Sequence, residues 1–398
     1  MTASQPQILD CFFGYEPIID NKRNVSALRV RLEPRGNKRP SMSQLYAEFA
    51  LGWPRHSKPI LLSAPDATLD DSILECELNP DIWVEVPARS TVTAADHALL
   101  GAMHAKGFGM AIGGRTPAPL PGALVPAFRM SVIHVSDDRR LKNEADNAEG
   151  FKRSIPYAQD GVTSIELMEK CFAKGAQSVL GWPMQDVMSH RTRDSSAPDY
   201  LAIMQLIGMA DRGEDPPKME AVIRRDPAIA YRLLRYINSA GFGLSVEVQS
   251  FRHAIMMLGY KKLKRWLALL LATSSKDANM RPVMLASFRR GLFLEHLLGV
   301  DDETTRDEVF ILGVFSLLDK LMKKPFEELL GNLAVPERVY ETLVEKRGQF
   351  VPYLGIVEAI EQGPDRKLGD RLDECLMTLA ACNEAVMRAL SAPELHQA

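Results

Sequence analysis

The chain has almost no net charge and no long apolar run, and both absences narrow its function. Lys plus Arg 48 against Asp plus Glu 51 leaves a formal charge of -3, so no global field would hold the molecule on DNA, RNA or an anionic membrane. No stretch approaches the ~18–20 apolar residues needed to cross a bilayer. The opening MTASQPQILDCFF has no basic segment ahead of an apolar one, and together these features predict a cytoplasmic protein. Cysteine is sparse. The five residues Cys11, Cys76, Cys171, Cys375 and Cys382 are odd in number, widely scattered and free of any C-x-x-C pair, which excludes a zinc clip or thiol-exchange motif and predicts small buried hydrophobes. Cys375 and Cys382, seven apart in a helical stretch, can share a helix face. No G-x-G-x-x-G or G-x-x-x-x-G-K-[ST] opens a helix, which weighs against a nucleotide fold of either kind.

What is present is enough apolar sequence for ordered cores: 46% hydrophobic against 25% charged in 398 residues, the composition of a globular protein with about two domains. Up to about residue 185, short apolar runs alternate with a helical segment: PILLSAP, DIWVEVPA, TAADHALLGAMHAKG, FGMAIGG and FRMSVIHVS. Such alternation predicts a mainly parallel sheet covered by helices, as a barrel or as an open doubly wound sheet. From about residue 196 the period changes. Tyr200, Ile203, Met204 and Ile207 fall at helical spacing, as do Ile229, Leu233, Tyr236 and Ile237, so this half reads as all-α. The polar junction SHRTRDSSAPDY suits an exposed connection. Within the helical half, NSAGFGLSVEVQS breaks the chain before a helix starting near Phe251, with Ser250 as its N-cap.

The second half is similar to an HDOD domain. The segment RRDPAIAYRLLRYINSAGFGLSVEVQSFRHAIMMLGYKKLKRW carries the pattern in Asp226-Pro227, Leu233-Leu234-Arg235, Asn238-Ser239, Ser250, Ala254-Ile255, Leu258-Gly259 and Trp266. The resemblance implies descent from HD phosphohydrolases, whose His and Asp ligands hold a metal that activates water. Where such an enzyme would carry its HD dipeptide, in ILGVFSLLDKL, this chain has Ser316-Leu317, and no HD dipeptide occurs anywhere in it.

The first half resembles an EAL domain, a (β/α) TIM-type barrel that in active members hydrolyses cyclic di-GMP with two metal ions. YEPIID (Tyr15 to Asp20) is similar to that family's opening, and SALRVRL falls on the motif that names it, placing Ala27 at the glutamate and Arg31 at the arginine. VEV keeps a glutamate as Glu85, QDGVTS keeps an acid as Asp160, AIGG puts Gly113 and Gly114 at a pair of aspartates, VIHV puts His134 at the catalytic lysine, and GAQSVLGWPM puts Leu180 at a glutamine. Two-metal hydrolysis needs several carboxylates to neutralise about four positive charges. Glu85 and Asp160 alone fall short of that.

The combined resemblance implies a degenerate EAL-like barrel over residues 1–188 followed by an HDOD domain over 189–398, with its helical core at about 196–365 and a C-terminal helix. It implies no catalytic residues, no metal and no cofactor, and a regulatory role exerted through protein partners in signalling linked to cyclic di-GMP, motility or virulence. The alternatives are a receptor that binds cyclic di-GMP without cleaving it, through Arg31, Glu85 and Asp160, and a residual phosphodiesterase. In the HDOD half Asp226, Arg235, Asn238, Ser239 and Trp266 are assigned to structure or partner docking, Asp226-Pro227 as a helix cap and Asn238-Ser239 as a helix end.

Three further groups have bland readings. GYKKLKRW (Gly259 to Trp266) reads as a solvated face with Leu263 and Trp266 turned inward, and otherwise as a basic patch for nucleic acid or an acidic partner, to which Arg224, Arg225, Arg232 and Arg235 would add. His97 and His104 share a helix without the third ligand a metal needs. Asp137 and Asp138 open a run of mixed charge, SDDRRLKNEADNAEG, that reads as a solvated loop.

Overall fold

A computed structural model describes residues 10–37, 39–138, 154–189, 198–223, 229, 251–275, 277–299, 301–331, 335–363 and 366–392. The N-terminal half is a closed barrel of eight strands. β1 (Cys11–Asp20) and β2 (Val25–Pro34) form an antiparallel hairpin whose turn is fixed by Asp20, its carboxylate accepting from the Lys22 and Asn24 amides at 2.8 Å each. From β2 the strands run parallel: β3 (Ile60–Ser63), β4 (Ile82–Pro87), β5 (Gly109–Gly113), β6 (Phe128–His134), β7 (Tyr157–Asp160) and β8 (Ser178–Leu180), which closes antiparallel on β1. The strand runs read from the sequence are these strands, and the barrel, not the open sheet, is the form they take.

Among the described residues, three crossovers carry α-helices: α1 (Met42–Gly52), α2 (Ala94–Lys106) and α3 (Ile165–Ala173). TAADHALLGAMHAKG is α2, begun by a Thr93–Asp96 capping box and ended by Gly107 in the left-handed conformation, the two signals that start and stop a helix most sharply. Inside the barrel, Ile18, Ala27, Leu61, Ala111, Val132, Ala158 and Leu180 form a dry cluster with Trp83 and Met130 packed on it. The alanines make room for Trp83, and Arg129 lies over that ring at 4.8 Å.

The second half is helical among the described residues. α4 (Pro198–Asp211), α5 (Pro216–Ile223), α6 (Phe251–Ala272), α7 (Arg281–Leu298) and α8 (Glu303–Phe315) are followed by the short α9 (Leu318–Met322), α10 (Phe326–Leu330) and α11 (Glu337–Leu343). α6 kinks at Gly259, whose φ of 71° lies in a region open to glycine. α7 and α8 cross closely because both carry glycine at the crossing. A Cβ on Gly313 would stand 2.5 Å from the Gly291 amide nitrogen.

Three C-terminal helices follow, α12 (Val351–Gln362), α13 (Arg366–Glu374) and α14 (Leu379–Ser391), and by contact they group mainly with the barrel. The compact units are Met1–His190 with Pro352–Pro393, and Arg191–Val351 with Glu394–Ala398. The physical reason lies in β1. A tight hairpin joins it to β2, so no crossover helix covers its outer wall, yet its residues are buried throughout. α13 and α14 pack on β1 instead, and Asn383 Nδ2 donates to the Cys11 carbonyl at 2.8 Å.

Candidate functional site

The centre of the barrel is built around an arginine that the sequence motifs pass over. Alternation along β2 sends Ala27, Arg29 and Arg31 to one face and Leu28, Val30 and Leu32 to the other. Ala27 joins the dry cluster, and Arg29 comes next along the axis. Its guanidinium forks onto Glu85, Nε donating to Oε2 at 2.8 Å and Nη2 to Oε1 at 2.7 Å, while Nη1 donates to Glu16 Oε1 at 3.1 Å and to Asp160 Oδ2 at 2.9 Å. β1, β2, β4 and β7 therefore meet through one cation. Arg29, Glu16 and Glu85 are all buried, at 7%, 8% and 6% exposure, so these are charge-assisted bonds in a poorly hydrated site.

Burial opposes the charge on Arg29, but Glu85, Asp160 and Glu16 outweigh it and raise its pKa above the usual arginine value. Glu16 is pushed the other way for a carboxylate. Burial raises its pKa, Arg29 pulls it down, and Asp160 adds to the rise, leaving it above its usual value. Three carboxylates around one guanidinium carry an excess of negative charge, and Glu16 is the member whose pKa is raised by it and by burial.

The glycines beside this cluster are fitted to it. A Cβ at Gly113 would lie 2.5 Å from Glu85 Oε1, so the residue standing at one of the EAL aspartate positions gives Glu85 the space to reach Arg29. Gly161, at φ 81°, gives the same room to His134, whose Nε2 would lie 2.4 Å from a Cβ there. His134 is exposed at the end of β6, its Nδ1 2.7 Å from Ser136 Oγ. Leu180, at the glutamine position, is fully buried in the dry cluster.

The resemblance to EAL domains implies two metal ions, and the side chains present do not fit them. Ala27, Gly113 and Gly114 offer no donor, and both oxygens of Glu85 with one each of Glu16 and Asp160 are directed at Arg29. Among the described residues no group of three or more His, Cys, Asp or Glu is arranged to hold a metal. Of the predicted ligand-binding trio, the structure brings Glu85 and Asp160 together on Arg29. Arg31 stands apart at the strand end, half-buried and 3.6 Å from Glu33. Arg29 and Glu16 were legible in principle: an arginine inside an alternating apolar strand must find carboxylates, and the facing strand YEPIID offers Glu16.

In the helical unit, Ser316 closes α8. Its hydroxyl donates to the Gly313 carbonyl at 2.7 Å and accepts from Arg290 Nη1 at 3.0 Å. The position that would bear a metal ligand in an HD enzyme thus serves as a helix end tied to an arginine. Asp226, Arg235, Asn238, Ser239 and Ser250 lie outside the described residues, as do Arg224, Arg225 and Arg232. Trp266 and Leu263 are buried. The two charges between them are engaged, Lys264 with Asp211 at 2.7 Å and Arg265 with Glu295 and Asp307 and stacked over Phe310, and Lys261 just before them donates to Thr304. His97 is 2.9 Å from the Thr91 carbonyl, so its ring is occupied by the chain. Asp138 departs from the solvated loop expected of it. A 3-10 turn over Val135–Asp137 folds it inward, and it is buried.

The family model described as HDOD domain matches residues 197–326, so an HDOD domain is present in this chain. A cyclic di-GMP phosphodiesterase of Vibrio cholerae, CdgJ, is 28% identical over 168 residues, covering 42% of this chain and 39% of that protein. The uncharacterized protein YuxH of Bacillus subtilis is 28% identical over 258 residues, covering 62% of this chain and 58% of that one. The chain therefore spans well under two thirds of the length of either relative. Among solved structures, a standalone EAL protein of Vibrio cholerae in its c-di-GMP-bound form is 14% identical with a TM-score of 0.34, over 44% of this chain and 90% of that one. No helix among the described residues is long and apolar enough to cross a membrane.

Proposed function

We propose that the chain is a non-catalytic regulator in cyclic di-GMP signalling that acts through protein partners, its barrel a degenerate EAL domain. One observation carries this reading: Arg29 engages Glu16, Glu85 and Asp160 at 2.7–3.1 Å. A resident guanidinium fulfils the charge-balancing role that metal ions would have in hydrolysis, but it supplies neither a Lewis acid nor an activated water. Support for the pathway comes from the HDOD domain at 197–326 and from the activity for which the Vibrio relative is named.

The opposite reading, hydrolysis of cyclic di-GMP, draws its support from that relative's name. Purified full-length chain incubated with cyclic di-GMP and magnesium or manganese separates the two. The expected result is no turnover. Turnover abolished by Glu85→Gln would overturn the proposal. Calorimetry in the same buffers tests the receptor alternative, which requires saturable heat that Arg31→Ala removes.

A further inference from the structure

The end of the barrel at which β2–β8 begin lies across the dry core from the Arg29 cluster and carries a construction of its own. Trp83, second in β4, and Gly109, first in β5, are Cα partners. A Cβ on Gly109 would collide with the Trp83 ring and lie 3.2 Å from Arg129 Nε, so the glycine is the shelf on which both side chains lie. β5 pairs Met110 with Phe128 and Ala111 with Met130. Arg129 is therefore the extra residue of a bulge, an irregularity that re-aims a side chain, and its guanidinium stands 4.8 Å over the Trp83 ring.

Trp83 is half-buried, with the dry core behind it, and Arg129 is exposed. Among the described residues no carboxylate or carbonyl takes the donors of Arg129. A guanidinium laid on an indole is fixed in its plane while its edge N–H groups stay available to a carboxylate or phosphate. The surroundings have one sign. The described connections at this end, 21–24, 53–59, 76–81, 106–108, 127, 154–156 and 174–177, carry six lysines and arginines against two acids, Glu77 and Asp81. Asp20, closing β1, accepts from the Lys22 and Asn24 amides. A chain of formal charge -3 thus presents a basic face at one end of its barrel.

We propose that this end of the barrel is a docking surface for an acidic segment of a protein partner, with the Arg129–Trp83 stack as its anchor. Tryptophan and arginine are the side chains that most often carry binding energy in protein interfaces, where a ring supplies area and a held guanidinium takes one carboxylate. Nucleic acid fits less well: a long phosphate run would meet Glu77 and Asp81 on the same face and a net negative chain behind it. The partner's class rests on the reading of a regulator that acts through protein contacts. Binding and turnover are measured separately, so failure here leaves that reading where its own assay puts it.

Fluorescence anisotropy of labelled decaglutamate titrated with the full-length chain at 50 mM NaCl tests the surface. Saturable binding is expected, weaker at 150 mM NaCl. Arg129→Gln, at an exposed side chain, is expected to weaken it about fivefold, the size of one exposed charge contact. Arg115→Gln makes the same charge change just beyond the opposite end of β5 and is expected to leave it within about twofold. Absence of saturable binding by the wild type would overturn the proposal, and that result depends on no variant folding. Binding unchanged in Arg129→Gln, or weakened equally in Arg115→Gln, would overturn it as well, since only diffuse charge would then be at work. Tighter binding of a mixed-sequence DNA duplex at the same salt, lost in Arg129→Gln, would overturn the assignment to a protein and give the surface to nucleic acid.

Discussion

Replacing Arg29 by leucine tests the central claim, because the substitute keeps the apolar part of the side chain nearest the backbone but carries no charge. Arg29→Leu leaves Glu16, Glu85 and Asp160 facing one another without their shared cation, in a site where Glu16 and Glu85 are under a tenth exposed. Removing one partner of a buried ion pair costs about 3–5 kcal/mol, because the remaining charge has lost both water and partner. For a unit of this size each kcal/mol moves Tm by about 2–4 °C, so the barrel transition should fall by roughly 6–20 °C at pH 7.5. The deficit should shrink as pH falls, since the orphaned carboxylates can then take up protons. Arg29→Lys should recover only part of the loss, because a point charge cannot fork onto Glu85. Calorimetry of the three proteins between pH 5 and 8 would decide the matter. A loss below about 1 kcal/mol, the range of an exposed pair, or a loss independent of pH would refute the reasoning.

Other perturbations follow from the same packing. Glu16 has a raised folded-state pKa, so its contribution to stability is full below the usual glutamate pKa and is lost as pH rises through the raised one. Urea melts should therefore show Glu16→Gln gaining on wild type as pH climbs from about 4 toward 8, and a difference that is flat or falls with pH would count against it. Gly313→Ala places a methyl against the Gly291 backbone and should destabilise the helical unit by about 1–3 kcal/mol, read as a lower denaturant midpoint. Among the thiols, Cys11 is pushed up to about 11 and Cys382 to about 12 by burial. A disulfide reagent at pH 8 should label the half-buried Cys76 and Cys375 in the native protein and reach Cys11, Cys171 and Cys382 only on unfolding.

How much of this could be read beforehand depends on the range of the interaction. Strand and helix runs in the barrel were legible because alternation, Thr93–Asp96 and Gly107 act within a few residues. The assignment of α13 and α14 to the barrel was not. Their amphipathic pattern says that they bury a face, but which face receives it is decided by an uncovered wall on β1 more than 350 residues earlier, a vacancy created by the hairpin at Asp20. The buried acid Asp138 escaped for the same reason, since a 3-10 turn outweighed the charge of its neighbours.

The site divides along the same line. Matching positions one by one to a metal-binding motif shows what is missing, at Ala27, Gly113 and Gly114, and leaves Glu85 and Asp160 as residues without an explanation. Arg29 supplies it, from within the alternating apolar run of β2. Without Arg29 the buried carboxylates would be uncompensated and would destabilise the barrel. An internal cation removes that penalty, and Gly113 is shaped to the pair it makes with Glu85. The glycine and the arginine therefore belong to one arrangement: an aspartate placed at Gly113 would collide with Glu85 and add a fourth carboxylate. Metal binding at this site would require changes at Arg29 and Gly113 together, and at Ala27 as well.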